Sequence, residues 1–219
     1  IMTLQIQNPG IDPQHFTRVI APQHDAVPGA NVISTLGGLH DVNEEKLHAA
    51  KIKWTPQLSP FKSPRTAVLI GGNNKYSKLD TAWTNDLIVK LKSLHAAGHA
   101  LWITPSRRTP PGVIAALRRN LPEENVLIWD GGGDNPYLGF LALSDFILVT
   151  ADSVSMISES LYTDKPVALL RVPGAGTKFT RFYDALIADG YTEWFDGGWK
   201  IKSRPQLNET QRAARLLLQ

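Results

Sequence analysis

Residues 144–173 read SDFILVTADSVSMISESLYTDKPVALLRVP, and their pattern decides the fold. Residues 146–149 form a continuous apolar run, which is typical of a strand buried on both faces of a sheet. A helix is expected over 153–162, and a second apolar run follows at 167–170. A strand, a helix and another strand in this order indicate parallel strands joined by a right-handed crossover.

The same alternation extends through the chain from about residue 65 to 190. Further strands are predicted at 66–70, 100–104 and 125–129, and further helices at 78–97, 110–120, 136–143 and 176–189. Strands that alternate with helices favour the α/β class, with a Rossmann-like doubly wound parallel sheet. Ligands of such sheets bind beyond the carboxyl ends of the strands, so we expect functional residues in the loops that follow them.

Residues 1–50 predict the closing portion of a second, N-terminal Rossmann-like domain. Strand candidates lie at 4–6, 18–21 and 31–34. A helix capped by Asn43 is expected to run through Ala50. Residues 51–64 contain three prolines and few apolar residues, which is typical of an interdomain linker. One complete domain is then expected over 65–205, followed by a C-terminal helix over 206–219.

Composition excludes several classes of protein. The 219 residues include no cysteine, which excludes a disulfide scaffold, a cysteine-ligated zinc site, an iron–sulfur cluster and thiol catalysis. No run of 18 apolar residues occurs, so no transmembrane segment is predicted. A net charge of +3 is too small to indicate a nucleic-acid partner, but it suits anionic ligands. The expected location is the cytoplasm, and peripheral contact with a membrane surface stays open.

The helix expected over 153–162 carries the first candidate site. At 100° per residue, Asp152, Ser155, Met156 and Glu159 share one stripe. The unpaired N–H groups near Ser153 and Ser155 favour an anion, because the helix dipole is positive at that end. Glu159 would accept hydrogen bonds from the two hydroxyls of a ribose. The alternative is an ordinary helix start with capping side chains and an exposed glutamate.

Three loops at the carboxyl ends of other strands are further candidates. In the first, Gly71, Gly72 and Asn73 would let the backbone approach a phosphate, although an ordinary turn has the same composition. In the second, Ser106 and Arg107 could clamp a phosphate or lie in solvent. The third loop, 130–134, contains Gly132 and two more glycines, which allow close approach to a ligand and equally allow mobility.

His24 and Asp25 are the catalytic candidates, because a histidine beside a carboxylate can act as a general base. A hydrogen-bonded turn is the alternative. Lys178 and Arg181, near a helix start, would neutralise a diphosphate or form a solvated basic face. No Asp-x-Asp pair occurs in the chain, so no metal site is expected.

Residues 144–173 resemble the nucleotide-binding stretch of GT-B glycosyltransferases, with Lys165-Pro166 before the second strand. Residues 22–25 with 31–33, 69–72 and 151–159 resemble the family named after the plant elongated-mitochondria fission factor. The resemblance implies a GT-B fold, in which the domain at 65–205 binds a nucleotide-diphosphate sugar. It also implies that the glycine loop and the 153–155 helix start hold the diphosphate.

Two functions follow from the resemblance. One is metal-independent sugar transfer from a nucleotide sugar to an acceptor, with the donor as substrate and no cofactor. The other is a catalytically inactive scaffold of the fission-factor family that acts through protein partners. A short-chain dehydrogenase-like epimerase is disfavoured, because no tyrosine has a lysine four residues later. A nucleotide-sugar hydrolysing or 2-epimerising GT-B relative stays open, as do the sugar, the acceptor and the oligomeric state.

Overall fold

The computed structural model describes residues 1–174, 176–200 and 203–219. Its strands are β1 Leu4–Ile6, β2 Arg18–Pro22, β3 Val32–Thr35, β4 Arg65–Ile70, β5 Ala100–Pro105, β6 Val126–Ile128, β7 Phe146–Thr150, β8 Val167–Leu170 and β9 Glu193–Trp194. Its α-helices are α1 Glu44–Leu58, α2 Thr81–Ala96, α3 Pro111–Asn120, α4 Tyr137–Leu143, α5 Val154–Tyr162, α6 Thr177–Ala188 and α7 Glu209–Leu217.

The larger sheet is parallel throughout, with the strand order β6-β5-β4-β7-β8-β9. Residues 67–70 of β4 and 147–149 of β7 are fully buried, as expected for continuous apolar runs. The chain builds outward from β4 to β6 and then returns to β7 on the other side. The order therefore reverses between β4 and β7, and a crevice opens beyond their carboxyl ends. The predicted doubly wound α/β sheet is confirmed.

The smaller sheet has the order β1-β2-β3 and is also parallel. Short 3₁₀ turns at Pro13–His15 and Gln23–Asp25 lie in its connections. The last helix returns to this sheet, where the Glu209 carboxylate accepts the Leu36 N–H at 2.6 Å. Gly38 N–H also donates to Ser158 Oγ of α5, at 2.9 Å. Both sheets are thus held against the same group of helices.

The predicted interdomain linker is helical over most of its length. Helix α1 passes Ala50 and continues to Leu58, with Pro56 in its last turn. The reason is packing against α4, because a Cβ at Gly139 would lie 2.5 Å from the ring of Trp54. This close helix contact stabilises a segment whose own composition favours a loop. The short strand β9 was also missed, since two residues show no periodicity.

Candidate functional site

A buried carboxylate at the crevice joins the loops that follow β4 and β7. The Asp152 side chain is 0% exposed and accepts the Gly72 N–H at 2.8 Å and the Thr150 hydroxyl at 2.6 Å. Gly71 N–H in turn donates to Thr150 Oγ1 at 2.7 Å. A Cβ at Gly71 would lie 2.2 Å from the Asp152 oxygens, and one at Gly72 would lie 2.1 Å from the Arg108 carbonyl carbon. The glycine pair is therefore required by this close approach.

The predicted phosphate loop already donates its amides to the protein. Besides Gly71 and Gly72, Asn73 N–H donates to the Arg108 carbonyl at 3.1 Å. The Asn73 side-chain oxygen accepts the Leu79 N–H at 2.8 Å. Phosphate binding by this loop stays a prediction, and it would require these bonds to exchange.

The start of α5 offers amides that helix hydrogen bonding does not use. Ser153 is its N-cap, and its hydroxyl accepts the Met156 N–H at 3.4 Å. The N–H groups of Val154 and Ser155 have no helical carbonyl one turn earlier. Ser155 is exposed and lines a cavity of about 390 Å³, together with His24 and Lys178. The structure thus brings the predicted helix start and the predicted base to one cavity.

His24 and Asp25 lie on the wall that the smaller sheet contributes to this cavity. The residue His24 is 4% exposed, and its Nε2 lies 3.6 Å from Asp25 Oδ1. Lys178 Nζ forms an ion pair with the same carboxylate oxygen, and the Arg181 guanidinium donates to the His24 carbonyl at 3.1 Å. The His24 ring contacts the Phe182 ring, with 4.9 Å between centroids. Lys178 and Arg181 therefore contact the candidate base.

The imidazole of His24 is held neutral near pH 7. Burial lowers the pKa of His24 most strongly, and Lys178 and Arg181 lower it further. The Asp25 charge raises the pKa of His24, but by less than burial lowers it. The buried Nδ1 of His24 finds no hydrogen-bond partner within the described residues. A neutral, unpartnered imidazole nitrogen is what a general base requires.

Glu159 is hydrogen-bonded within the protein. The Tyr137 hydroxyl donates to Glu159 Oε2. Burial raises the pKa of Glu159, although the tyrosine hydrogen bond opposes this effect. Burial, with the nearby Glu159 charge, also raises the pKa of Tyr137 well above its usual value. A ribose would compete with Tyr137 for this carboxylate.

A second cavity, of about 480 Å³, is lined in part by Met156 from the first turn of α5. Ser106, Arg107, Trp129, Tyr137 and Met156 are among the residues that line it. Its walls are partly aromatic and carry an exposed guanidinium. The cavity therefore offers both apolar contact and positive charge.

Gly132 lines a neighbouring cavity of about 500 Å³, and Trp129 lines both this cavity and the one of about 480 Å³. The Gly132 carbonyl accepts the Trp129 indole N–H at 2.8 Å, and the Gly132 N–H donates to Asp130 at 2.9 Å. The 130–134 loop thus fixes the Trp129 ring. Sequence reasoning gave Trp129 no role, although its position directly after β6 was a usable signal.

The described residues hold neither a candidate metal cluster nor a membrane-spanning helix. No group of three or more histidine, aspartate or glutamate side chains there is arranged to hold a metal ion. No helix in the same ranges has the length and hydropathy needed to cross a bilayer.

The sequence profile of the Mitochondrial fission ELM1 family matches residues 1–219. The chain belongs to the mitochondrial fission ELM1 family. It is 30% identical over 241 residues to Mitochondrial fission protein ELM1 of Arabidopsis thaliana, in an alignment covering 98% of this chain and 56% of the plant protein. It is also 30% identical over 209 residues to the uncharacterized protein RP120 of Rickettsia prowazekii, covering 89% and 57% of the two chains. This ELM1-family chain thus spans just over half the length of these curated relatives.

Two solved structures of GT-B enzymes resemble the ELM1-family chain. MurG of Acinetobacter baumannii superposes with a TM-score of 0.51 at 14% identity. UDP-GlcNAc 2-epimerase of Methanocaldococcus jannaschii, in complex with UDP-GlcNAc and UDP, superposes with a TM-score of 0.53 at 15% identity. Each comparison covers 94% of this chain, with 61% of MurG and 62% of the epimerase. At these identities the likeness establishes the fold, which is GT-B.

Proposed function

We propose that the crevice around the start of α5 binds a nucleotide-diphosphate sugar, and that the whole protein transfers the sugar to an acceptor. One observation carries this proposal. The first turn of α5, with two amides free of helix bonding, contributes residues to the walls of both cavities, of about 390 and 480 Å³. A diphosphate held at that turn would extend its nucleoside into one cavity and its sugar into the other.

The diphosphate site is assigned to α5 because the glycine loop is filled. Asp152 and Thr150 already satisfy the Gly71 and Gly72 amides. The N–H groups of Val154 and Ser155 point along the helix dipole towards the positive end, where an anion is favoured. Lys178 adds a positive charge to the lining of the same cavity.

The nucleoside is assigned to the cavity of about 480 Å³. Trp129 and Tyr137 offer aromatic surface there, and Met156 adds an adaptable apolar side chain. Ligand cavities are typically apolar with a few placed polar groups, and this cavity follows that pattern. Ribose binding by Glu159 would then replace the bond from Tyr137.

The transfer chemistry uses His24 as the base. His24 would take the proton of an acceptor hydroxyl while the hydroxyl oxygen forms a bond to the anomeric carbon of the sugar. The bond from that carbon to the diphosphate breaks, and the diphosphate leaves with the electron pair. The α5 dipole and the Lys178 ammonium would stabilise the charge that develops on the leaving group.

The substitution Ser155→Asp tests the diphosphate site without threatening the fold. An aspartate in the first turn favours the helix, yet it repels an anion bound at the same turn. We expect nucleoside-diphosphate affinity of the intact protein to fall at least about tenfold in calorimetry, with an unchanged or slightly higher melting temperature. Thr81→Asp, which adds the same charge to the first turn of α2, is the matched control. Equal affinities for the two variants would reject the proposal, as would absence of binding at millimolar nucleotide.

A protein-binding scaffold is the second candidate. Two observations favour it, because the Gly72 amide is filled by Asp152 and the Glu159 carboxylate by Tyr137. A protein partner that co-purifies equally with the Ser155→Asp and Thr81→Asp variants, in the absence of any nucleotide binding, would support this function. Loss of sugar transfer in Ser155→Asp would exclude it.

A further inference from the structure

The Asp25 carboxylate lies between two partners that compete for one oxygen. Lys178 Nζ forms an ion pair with Asp25 Oδ1, while His24 Nε2 lies 3.6 Å from the same oxygen, beyond hydrogen-bond distance. The Asp25 side chain is 8% exposed, whereas that of Lys178 is 49% exposed. The carboxylate is therefore buried, whereas the ammonium sits on a flexible stem at the cavity.

His24 lacks the hydrogen bonds that a buried imidazole normally makes. Its ring lines the cavity of about 390 Å³, and its Nδ1 has no partner in the described part of the chain. Buried polar atoms without partners are uncommon and point to a missing ligand. The unpaired nitrogen therefore indicates that an occupant of the cavity completes the site.

We infer that Lys178 is an anion-controlled latch on the His24–Asp25 pair. In this structure the ammonium pairs with Asp25, and His24 Nε2 lies beyond hydrogen-bond distance of the carboxylate. When a phosphate group enters, the ammonium moves to it, and Asp25 accepts a hydrogen bond from His24 Nε2–H. The lone pair of Nδ1 is then directed to the acceptor hydroxyl. This inference rests on the proposed function and adds that Asp25 is a positioning residue.

Three charges from the described residues act on His24, and each is consistent with the latch. Asp25 belongs to the same 3₁₀ turn, while Lys178 and Arg181 come from α6, which packs against that turn. Arg181 bonds the His24 carbonyl, so it stays in place in both states. Lys178 is the cation whose partner is a side chain at the cavity wall. Its departure removes one of the two cations that oppose the effect of Asp25 on the imidazole.

The test is a nitrogen-15 NMR titration of His24 in the intact protein. We expect Lys178→Gln alone to increase the Nε2–H fraction of neutral His24 and to raise the pKa of His24 by about one unit. Pyrophosphate should produce the same change in the unmodified protein and a smaller one in Lys178→Gln. Lys92→Gln, which removes an exposed charge from α2, should change neither quantity.

The substitution Asp25→Asn separates the latch from direct charge effects. In an Asp25→Asn background, Lys178→Gln should no longer alter the tautomer, because no carboxylate is available to accept the bond. An unchanged tautomer in Lys178→Gln, or an equal response with and without Asp25, would overturn the inference. Failure of pyrophosphate and nucleoside diphosphates to bind would instead reject the proposed function, since the effect of Lys178→Gln is measured without ligand.

Discussion

Asp152→Ala probes whether a buried carboxylate joins the loops after β4 and β7. The side chain is 0% exposed and accepts two hydrogen bonds, from Gly72 N–H at 2.8 Å and from the Thr150 hydroxyl at 2.6 Å. Hydrogen bonds to charged groups contribute about 1.5–3 kcal/mol each. The loss of both hydrogen bonds leaves the Gly72 amide buried and unpaired. Arg108 lies 3.5 Å away and is half-exposed, so its ion pair adds little.

The expected loss in the free energy of unfolding is about 4 kcal/mol for Asp152→Ala, from two bonds at about 2 kcal/mol each. Asp152→Asn keeps one acceptor oxygen and should lose about half as much. With a urea slope of about 3 kcal/mol per molar, the alanine variant shifts the unfolding midpoint by about 1.3 M. The six tryptophans provide the fluorescence signal for this measurement.

Asp184→Ala, at an exposed position on α6, is the matched control and should change stability by less than about 0.5 kcal/mol. A loss below about 1 kcal/mol in Asp152→Ala would refute the reasoning. It would mean that the carboxylate does not hold the glycine loop. The Gly72 amide would then be free to bind phosphate, as the sequence predicts.

Two further predictions concern pH and the ribose position. Burial lowers the pKa of His99, so the unfolded state binds more protons as pH falls below about 6.5, and the folded state loses stability there. His99→Gln should reduce the fall in melting temperature between about pH 7 and 5.5. The exposed control His48→Gln should leave that fall unchanged. Equal falls in the two variants would contradict this prediction. Tyr137→Phe frees Glu159 and should raise nucleotide affinity about threefold to tenfold in calorimetry. An affinity no higher than that of the exposed control Tyr76→Phe would contradict it.

The larger sheet was predictable because its strands are continuous apolar runs. Strands and helices between β4 and α6 lie within a few residues of their predicted bounds, since burial on both faces leaves a clear sequence pattern. Helix α1 was cut short in the prediction, because contact between Trp54 and Gly139 stabilises its second half. That contact joins residues far apart in sequence and has no local signal.

For the candidate site, too, the sequence predicted some features and not others. The sequence by itself placed His24, Ser155 and Glu159 at strand ends or on one helix face, because periodicity determines which side a residue occupies. Only the tertiary structure decided their partners. Asp152 fills the glycine loop, Tyr137 bonds Glu159, and Lys178 occupies Asp25. These pairings depend on distances of a few ångströms between separate elements, which the packing of the sheets and helices determines.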